Sequence, residues 1–189
     1  ASGVLCVNLG LPWFLGLLGG LLAGGLLGAV NGLLVARAGI PAFIVTLGML
    51  SVARGLALII ADGKPVYGLP NAITFLGQGR FLGVPMPVWI LLVLVVVFHL
   101  VLSRTRFGRY TLVIGDNEMA ARGTGIDVPA HKIRLYVLSG ALAGLAGLLF
   151  AARVNAADPT AGVSYELSAI TAAVIGGTNL FGGRGTVVG

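Results

Sequence analysis

The sequence predicts an all-α fold, a polytopic bundle of transmembrane helices. Hydrophobic residues make up 57% of the 189 positions and charged residues only 10%, whereas soluble domains carry about 25% charged residues. The apolar residues also form long blocks, and neither Leu11–Val35 nor Met86–Ser103 contains a charged side chain. Blocks of about 18 or more apolar residues match a hydrocarbon core roughly 30 Å thick. The bilayer is therefore the predicted solvent of this chain.

Four spans are predicted, over residues 11–35, 41–61, 86–103 and 132–151. The second contains Arg54, whose insertion cost of about 2.5–3.5 kcal/mol is offset by apolar neighbours that return roughly 0.3–0.6 kcal/mol each. The later apolar segment Leu167–Ile175 is too short to cross. A re-entrant half-helix is plausible there, because broken backbone is tolerated where protein or a water-filled cavity surrounds it.

Residues 1–189 are predicted to form one transmembrane domain. Because the chain begins Ala-Ser without an initiator Met and stops at Gly189 in a glycine-rich segment, we expect a fragment that lacks both ends.

The basic residues predict the orientation of the spans. The net charge of +6 would indicate nucleic acid in a soluble protein, but here the basic residues lie between apolar blocks, so no nucleic acid partner is expected. Seven fall on one side of the predicted spans and three on the other, which places the loop 104–130 in the cytoplasm. The loop 62–85 then faces outside, and its Gly and Pro content predicts irregular backbone. The seven are Arg37, Arg104, Arg106, Arg109, Arg122, Lys132 and Arg134, and the three are Lys64, Arg80 and Arg153.

Glycine recurs every four residues along the first span. This spacing forms a slowly drifting stripe without side chains, against which another helix can pack closely. A shorter stripe lies in the fourth span. Glycine is also simply common in membrane helices, but five residues in register favour packing. The stripes are Gly16, Gly20, Gly24, Gly28 and Gly32 in the first span, and Gly140 and Gly144 in the fourth.

The predicted cytoplasmic loop contains the signature of a short helix. Asn117 can cap its start, and Glu118 is favourable at the positive end of the helix dipole. Ala120 and Ala121 give the helix a small-residue surface, and Gly125 can end it. Such a helix suits docking into a groove of another protein, although an ordinary solvated connector explains the residues equally well.

Several motifs in order resemble the ribose-type permeases of bacterial ABC importers, which belong to the branched-chain amino acid and sugar permease superfamily. The resemblance implies a multi-pass subunit of the bacterial plasma (inner) membrane. It implies that Glu118, Ala120, Ala121 and Gly125 dock on the ABC ATP-binding subunit, although Met119 replaces a Glu usual in that family. It also implies a second permease copy or paralogue, an extracytoplasmic solute-binding protein and membrane lipid as partners. The motifs are Asn31–Arg37, Ile40–Gly55, Arg106–Tyr110, Glu118–Gly125, Pro159–Glu166 and Val174–Gly185.

The expected function is passage of a small polar solute, with a sugar favoured, by alternating access and without covalent chemistry. An ion-coupled secondary transporter is the alternative, but coupling usually places acidic residues or His inside the membrane. All six acidic residues fall in loops or at helix ends. A membrane anchor is not excluded by composition. Within the family, a branched-chain amino acid or nucleoside permease also remains open.

Candidate path residues are Arg54, Asn31 and Thr46. Arg54 either faces the path or snorkels to the interface, and Asn31 and Thr46 either line the path or bond to helix backbone. No nucleotide site is expected, because the segment Gly177–Arg184 lacks the Gly-Lys-Ser/Thr of a phosphate loop. The chain is thus not expected to be an enzyme or to hold a cofactor or metal. ATP hydrolysis is assigned to a partner subunit.

Overall fold

The computed structural model describes residues 2–8, 10–179 and 182–187. Leu180 and Phe181 of the glycine-rich tail motif lie outside the described residues, as does Gly189 at the end of the chain. The described part is mainly helical, which confirms the predicted class. Its long helices are α1 (Trp13–Ala36), α2 (Ala42–Ile60), α4 (Met86–Arg104) and α7 (Val128–Val154), and its shorter helices are α3 (Asn71–Gln78), α5 (Arg106–Asp116), α6 (Glu118–Gly123) and α8 (Tyr165–Ile175).

The four long helices are long and apolar enough to cross a membrane, with 19 to 27 residues each and mean hydropathies between 1.9 and 2.6. Their apolar side chains are largely exposed, and α4 buries no residue at all. Exposed apolar surface on this scale is what lipid covers. Length, composition and exposure therefore agree with the four predicted spans.

The fourth span begins earlier than predicted, at Val128 instead of Lys132. The side chain of Asp127 accepts a hydrogen bond from the backbone N–H of Ala130 at 3.0 Å, which satisfies a free donor at the helix start. Pro129 suits the first turn, where its missing N–H is not needed. The first turn of α7 is therefore helical although it contains polar residues.

The described chain forms two compact units, and the first comprises Ala1–Val88 and Lys132–Ala161. It contains α1, α2, α3 and most of α7, with a short stretch of π-helix at Val4–Asn8. Two small antiparallel pairs complete it. These join β1 (Val66–Tyr67) to β4 (Ala156–Ala157), and β2 (Arg80–Phe81) to β3 (Val84–Pro85). A buried apolar cluster holds them together, formed by Cys6, Leu69, Ile73, Leu148, Ala151 and Ala152.

The segment 62–85 is more regular than predicted. It contains α3, whose residue Gly77 lies directly against the backbone of Ala152 and Arg153 at the end of α7. Gln78 Nε2 donates to the Arg153 carbonyl at 3.0 Å. The Gly and Pro residues thus lie at the ends of short helices and strands. The segment is not irregular throughout, because these short elements pair with or pack against other parts of the unit.

The backbones of α1 and α7 touch along the glycine stripes. A Cβ built on Gly24 would collide with the carbonyl oxygen of Gly140, and one built on Gly140 would collide with that of Gly24. Gly144 meets the Gly20 carbonyl in the same way, and Gly28 meets that of Tyr136. Gly16, at the start of the stripe, instead faces Cys6, and at its other end a Cβ on Gly32 would lie 2.9 Å from Ile133 Cα. The stripe therefore packs mainly against α7 of the same chain.

The second unit comprises Trp89–His131 and Gly162–Gly189. It contains most of α4, the helices α5, α6 and α8, and the first turn of α7. Its buried cluster is Ile114, Ala121 and Val128, with Ile126 packed beside them. The predicted loop 104–130 is therefore largely helical. Its first helix, α5, starts at Thr105, whose hydroxyl accepts from the Gly108 N–H at 3.2 Å.

Adding one methyl group to α7 tests the close approach of α1. We expect Gly140→Ala to destabilise the protein by about 1–3 kcal/mol, because the new Cβ meets a backbone carbonyl that cannot move cheaply. The measurement is the thermal unfolding midpoint of the intact protein in detergent micelles.

Gly147→Ala is the matched control on the same helix, since a Cβ there meets no atom within 4 Å. It should leave the midpoint unchanged or raise it slightly, because Ala is the better helix former by up to about 1 kcal/mol. Equal midpoints for the two variants would contradict the backbone contact.

Candidate functional site

The candidate functional residues occupy two separate places, one in each unit. Glu118, Ala120 and Ala121 belong to α6, and Gly125 follows it. Asn31 and Thr46 line a cleft of the first unit.

Asn117 ends α5 and starts α6. Its backbone is extended, with φ of −151°, and its Oδ1 accepts from the Ala120 N–H at 3.0 Å. One turn further, Arg122 Nη2 lies 2.8 Å from Glu118 Oε1. Because both side chains are solvent-accessible, this pair contributes at most about 0.5 kcal/mol. The cap fixes where the helix begins, and the ion pair orients two charges on its surface.

The two alanines of α6 have opposite environments. Ala121 is completely buried and packs with Ile114 and Val128, whereas Ala120 is exposed. Met119 is 84% exposed. The sequence placed both alanines on the surface, and for Ala121 this is wrong, because the helix needs one small side chain to seat on the cluster beneath it. The exposed surface of this part of α6 is therefore formed by Met119 and Ala120.

Gly125 lies just beyond α6, after Thr124 at the C-terminal cap. Its φ of +82° is in the left-handed region, which glycine adopts without steric cost. The chain therefore turns there toward Ile126 and the cluster.

His131 braces this region, and the sequence did not single it out. It is only 3% exposed, and its ring centroid lies 4.7 Å from that of Phe107. Its Nε2 is 2.9 Å from Thr111 Oγ1, while the same hydroxyl also bonds to the Phe107 carbonyl at 2.9 Å. A hydroxyl has one proton, so when it donates to the carbonyl, its oxygen accepts from Nε2–H. The imidazole thus ties α5 to the first turn of α7.

The second place is a cleft of about 460 Å³ lined by α1, α2 and α7. Small-molecule sites typically measure about 300–1,000 Å³. Gly24, Gly28, Gly140 and Gly144 form part of its wall, so the cleft lies beside the crossing of α1 and α7. None of its lining residues is charged.

The cleft holds an unsatisfied hydrogen-bond acceptor. Asn31 Oδ1 is buried and has no hydrogen-bond partner among the residues that the structure describes. Leaving such an atom unpaired costs about 1–3 kcal/mol, so a donor is expected to reach it in some state of the protein. Thr46 differs, because its hydroxyl already lies within hydrogen-bonding distance of the Ala42 and Phe43 carbonyls, at 3.0 and 3.2 Å.

Two further polar residues of α7, Tyr136 and Ser139, line the cleft, and neither was predicted from the sequence. A usable signal was present, since Tyr136 lies one turn before Gly140, on the same helix face. Arg54 is not among the lining residues, although its neighbour Ala53 is. Arg54 is half-buried, and within the described part of the chain it forms no hydrogen bond or ion pair.

The chain is similar in sequence to known proteins over its whole length. The family model described as branched-chain amino acid transport system / permease component matches residues 1–189. The ribose import permease protein RbsC of Haemophilus influenzae is 43% identical over 187 residues, 97% of this chain and 58% of the relative. The D-allose transport system permease protein AlsC of Escherichia coli is 40% identical, covering 93% and 54%. The L-arabinose ABC transporter permease protein AraH of Azospirillum brasilense is 44% identical, covering 93% and 52%.

These matches confirm the resemblance that the motifs indicated. The chain spans a little over half the length of these relatives. No solved structure matches it.

The opposite environments of the two alanines give a test within α6. We expect Ala121→Leu to lower the stability of the intact protein by about 1–3 kcal/mol, because three extra carbon atoms must enter a filled cluster. Ala120→Leu adds the same atoms on the exposed face and should change stability by less than about 0.5 kcal/mol. Thermal unfolding of the two variants in detergent measures this, and a destabilised Ala120→Leu with a stable Ala121→Leu would reverse the assignment.

Proposed function

We propose a transport function from one premise: the chain belongs to the family of branched-chain amino acid transport system permease components. It would form part of the membrane-spanning subunit of an ATP-driven importer in a bacterial plasma membrane. The observation that carries this proposal is the match of the whole chain to the family, together with four helices of membrane-spanning length. The subunit carries the solute and does not itself hydrolyse ATP.

The proposed solute is a sugar. The relatives named above are ribose, allose and arabinose permeases, each at least 40% identical to this chain. The cleft supports a neutral solute on independent grounds, because its lining contains no charge. A zwitterionic amino acid carries two full charges, which are costly to place in an apolar environment without partners. A branched-chain amino acid or nucleoside remains the alternative within the family.

In this proposal, Asn31 lines the path and meets the hydroxyl groups of the solute. A sugar presents many hydroxyl donors, and the unpaired Oδ1 of Asn31 would accept from one of them. The hydroxyls of Tyr136 and Ser139 add donors and acceptors on the facing helix. Thr46 would contribute mainly shape, since its hydroxyl is engaged with helix backbone. Arg54 would act at the edge of the path or at the membrane interface.

The proposed link to ATP hydrolysis is α6. Its exposed face, formed by Met119, Ala120 and the Glu118–Arg122 pair, would dock into a groove of the ATP-binding subunit on the cytoplasmic side. Ala121 would transmit the movement, because it joins this face to the cluster that contains Val128, the first residue of α7. Closure of two ATPases would then move α7 and switch the path between its outward and inward openings.

Two partner proteins and a role for one further helix of this chain are proposed on the same premise. A second permease copy or paralogue would complete the membrane unit, and an extracytoplasmic protein would deliver the solute. The helix α8 has 11 residues, roughly 17 Å at the usual rise. It cannot cross a core of about 30 Å, so it would be re-entrant. Glu166 lies in its first turn, where its negative charge interacts favourably with the positive end of the helix dipole.

An ion-coupled transporter is the competing function. Coupling by protons or sodium usually places ionisable residues inside the membrane. The four long helices contain no Asp or Glu, and the family match favours the ATP-driven class.

The docking proposal is tested by Ala120→Trp in the intact transporter. We expect the variant to fold but to lose at least tenfold in the amount of ATP-binding subunit that co-purifies with it, because the bulky side chain blocks close contact at the exposed face of α6. Transport-coupled ATP hydrolysis in liposomes should fall in parallel.

Ala72→Trp is the matched control, since Ala72 is an exposed alanine near the start of a helix, α3, in the other unit. It should retain the subunit. If the wild-type protein never binds an ATP-binding subunit and instead takes up solute with a proton or sodium gradient, the importer proposal is wrong. If Ala120→Trp retains full binding, docking lies elsewhere.

The path proposal is tested by Asn31→Leu. This change preserves approximate size but removes the acceptor, so we expect sugar uptake by reconstituted transporter to fall about 2- to 10-fold, the equivalent of one lost hydrogen bond of roughly 0.5–1.5 kcal/mol. Stability should be retained or increased, because the unpaired acceptor is gone.

Thr46→Val serves as control, since it lines the same cleft but its hydroxyl is already engaged. Uptake should change less than twofold. Equal losses in the two variants would remove Asn31 from the path, and a destabilised Asn31→Leu would show that its amide has a structural partner.

A further inference from the structure

We propose that the β2–β3 hairpin, Arg80–Pro85, is a membrane anchor whose tip, Phe81 and Leu82, lies among the lipid headgroups at the end where α4 begins. The partner is the lipid surface itself. The inference rests on the hairpin and on α4 crossing a bilayer, and it is independent of which solute is carried.

The tip has an unusual combination of conformation and residue type. Leu82 and Gly83 both have positive φ, 53° and 80°, as the two central residues of a type I′ hairpin turn require. Asn, Asp and Gly are the residues that favour such positions, whereas Leu is disfavoured there. Leu82 is nevertheless the residue present, and it is 80% exposed. A strained, exposed, apolar side chain indicates a contact outside the described chain.

The neighbours of Leu82 extend this apolar surface. Phe81 is 56% exposed and Val84 is 36% exposed. Arg80, at the base of the hairpin, is also exposed and can reach a lipid phosphate, which a guanidinium binds well. An exposed cation beside an apolar tip is a combination suited to the membrane interface, where Arg meets lipid phosphate and apolar side chains meet the boundary of the acyl chains.

The hairpin is held at the membrane boundary by its connection to α4. No linker separates β3 from α4, and the Met86 N–H donates to the Gly79 carbonyl at 2.8 Å, which closes the base of the hairpin. The 19 residues of α4 are roughly 28 Å long, close to the hydrocarbon thickness of about 30 Å. Met86 therefore lies at the edge of the core. Trp89, in the first turn, is of the residue type enriched at this level.

The distance from this edge to the tip is short. Leu82 lies four residues before Met86, which is at most about 14 Å of extended chain. The headgroup layer is about 5–8 Å thick on each side. The tip thus lies in that layer when the hairpin is tilted, and just beyond it when the hairpin stands upright. The exposed Phe81 and Leu82 favour the tilted position, because only there do they leave water.

The test is the depth of a nitroxide at Leu82→Cys, in an otherwise cysteine-free form of the intact protein reconstituted in liposomes. Collision rates with oxygen, which concentrates in lipid, and with a water-soluble nickel chelate give the depth. We expect oxygen to dominate at Leu82 and to place the label at or below the phosphates.

Lys64→Cys is the matched control. Lys64 lies four residues beyond the end of α2, as Leu82 lies four residues before the start of α4, so both are equally close to a span. Lys64 is exposed and charged, and its label should collide mainly with nickel. Because the label is itself apolar, hydroxyl-radical footprinting of the unlabelled protein is the second readout. Phe81 should be oxidised several-fold more slowly in liposomes than Tyr67, which is 68% exposed.

Two outcomes would overturn the proposal. If the Leu82 label is as accessible to nickel as the Lys64 label, and Phe81 is oxidised as fast as Tyr67, the hairpin stands in water. If both sites become protected only after a solute-binding protein is added, the hairpin is a protein docking surface and not a lipid anchor.

Discussion

The contact between the backbones of α1 and α7 is the constraint on which the first unit depends. In a bilayer, lipid is as apolar as the helices, so helices associate through close packing and not through the hydrophobic effect. Gly24 and Gly140 allow this approach because neither carries a Cβ. The same glycines form part of the cleft wall. The absence of side chains therefore brings two helices together and leaves open space beside them, next to Asn31.

Much of the fold could be predicted because the bilayer imposes a simple rule on composition. Long apolar blocks predicted the bounds of the four long helices to within a few residues, and the largest difference is at α7, which Asp127 caps four residues before the predicted start. The helices α3 and α5 were missed, since they depend on contacts distant in sequence, such as Gly77 against Ala152. The burial of Ala121 and the unpaired Oδ1 of Asn31 could not be predicted either, because both depend on what surrounds a side chain in three dimensions.

The short helix α6, the proposed docking element, depends on support from the rest of its unit. Six residues cannot form a stable helix alone, since nucleation costs more than one turn returns, and the exposed Glu118–Arg122 pair adds little. Its stability must come from the Asn117 cap and from Ala121 in the cluster, which His131 braces from the side. A helix held in this way would move with the cluster beneath it, as the proposed docking on an ATP-binding subunit requires.

For the proposed transport function, the unpaired acceptor of Asn31 is better suited to a translocation path than to a tight binding site. A tight binding site satisfies all its polar groups, and a strongly bound solute would not be released to the other side. A cleft with one free acceptor, two nearby hydroxyls and no charge offers a hydroxylated solute only a few neutral hydrogen bonds, each contributing about 0.5–1.5 kcal/mol. Binding would thus be weak and transient. If the solute is a sugar, as proposed, tight selection among sugars would have to occur before the solute reaches these helices. The cleft would then reject charged solutes instead of choosing between neutral ones.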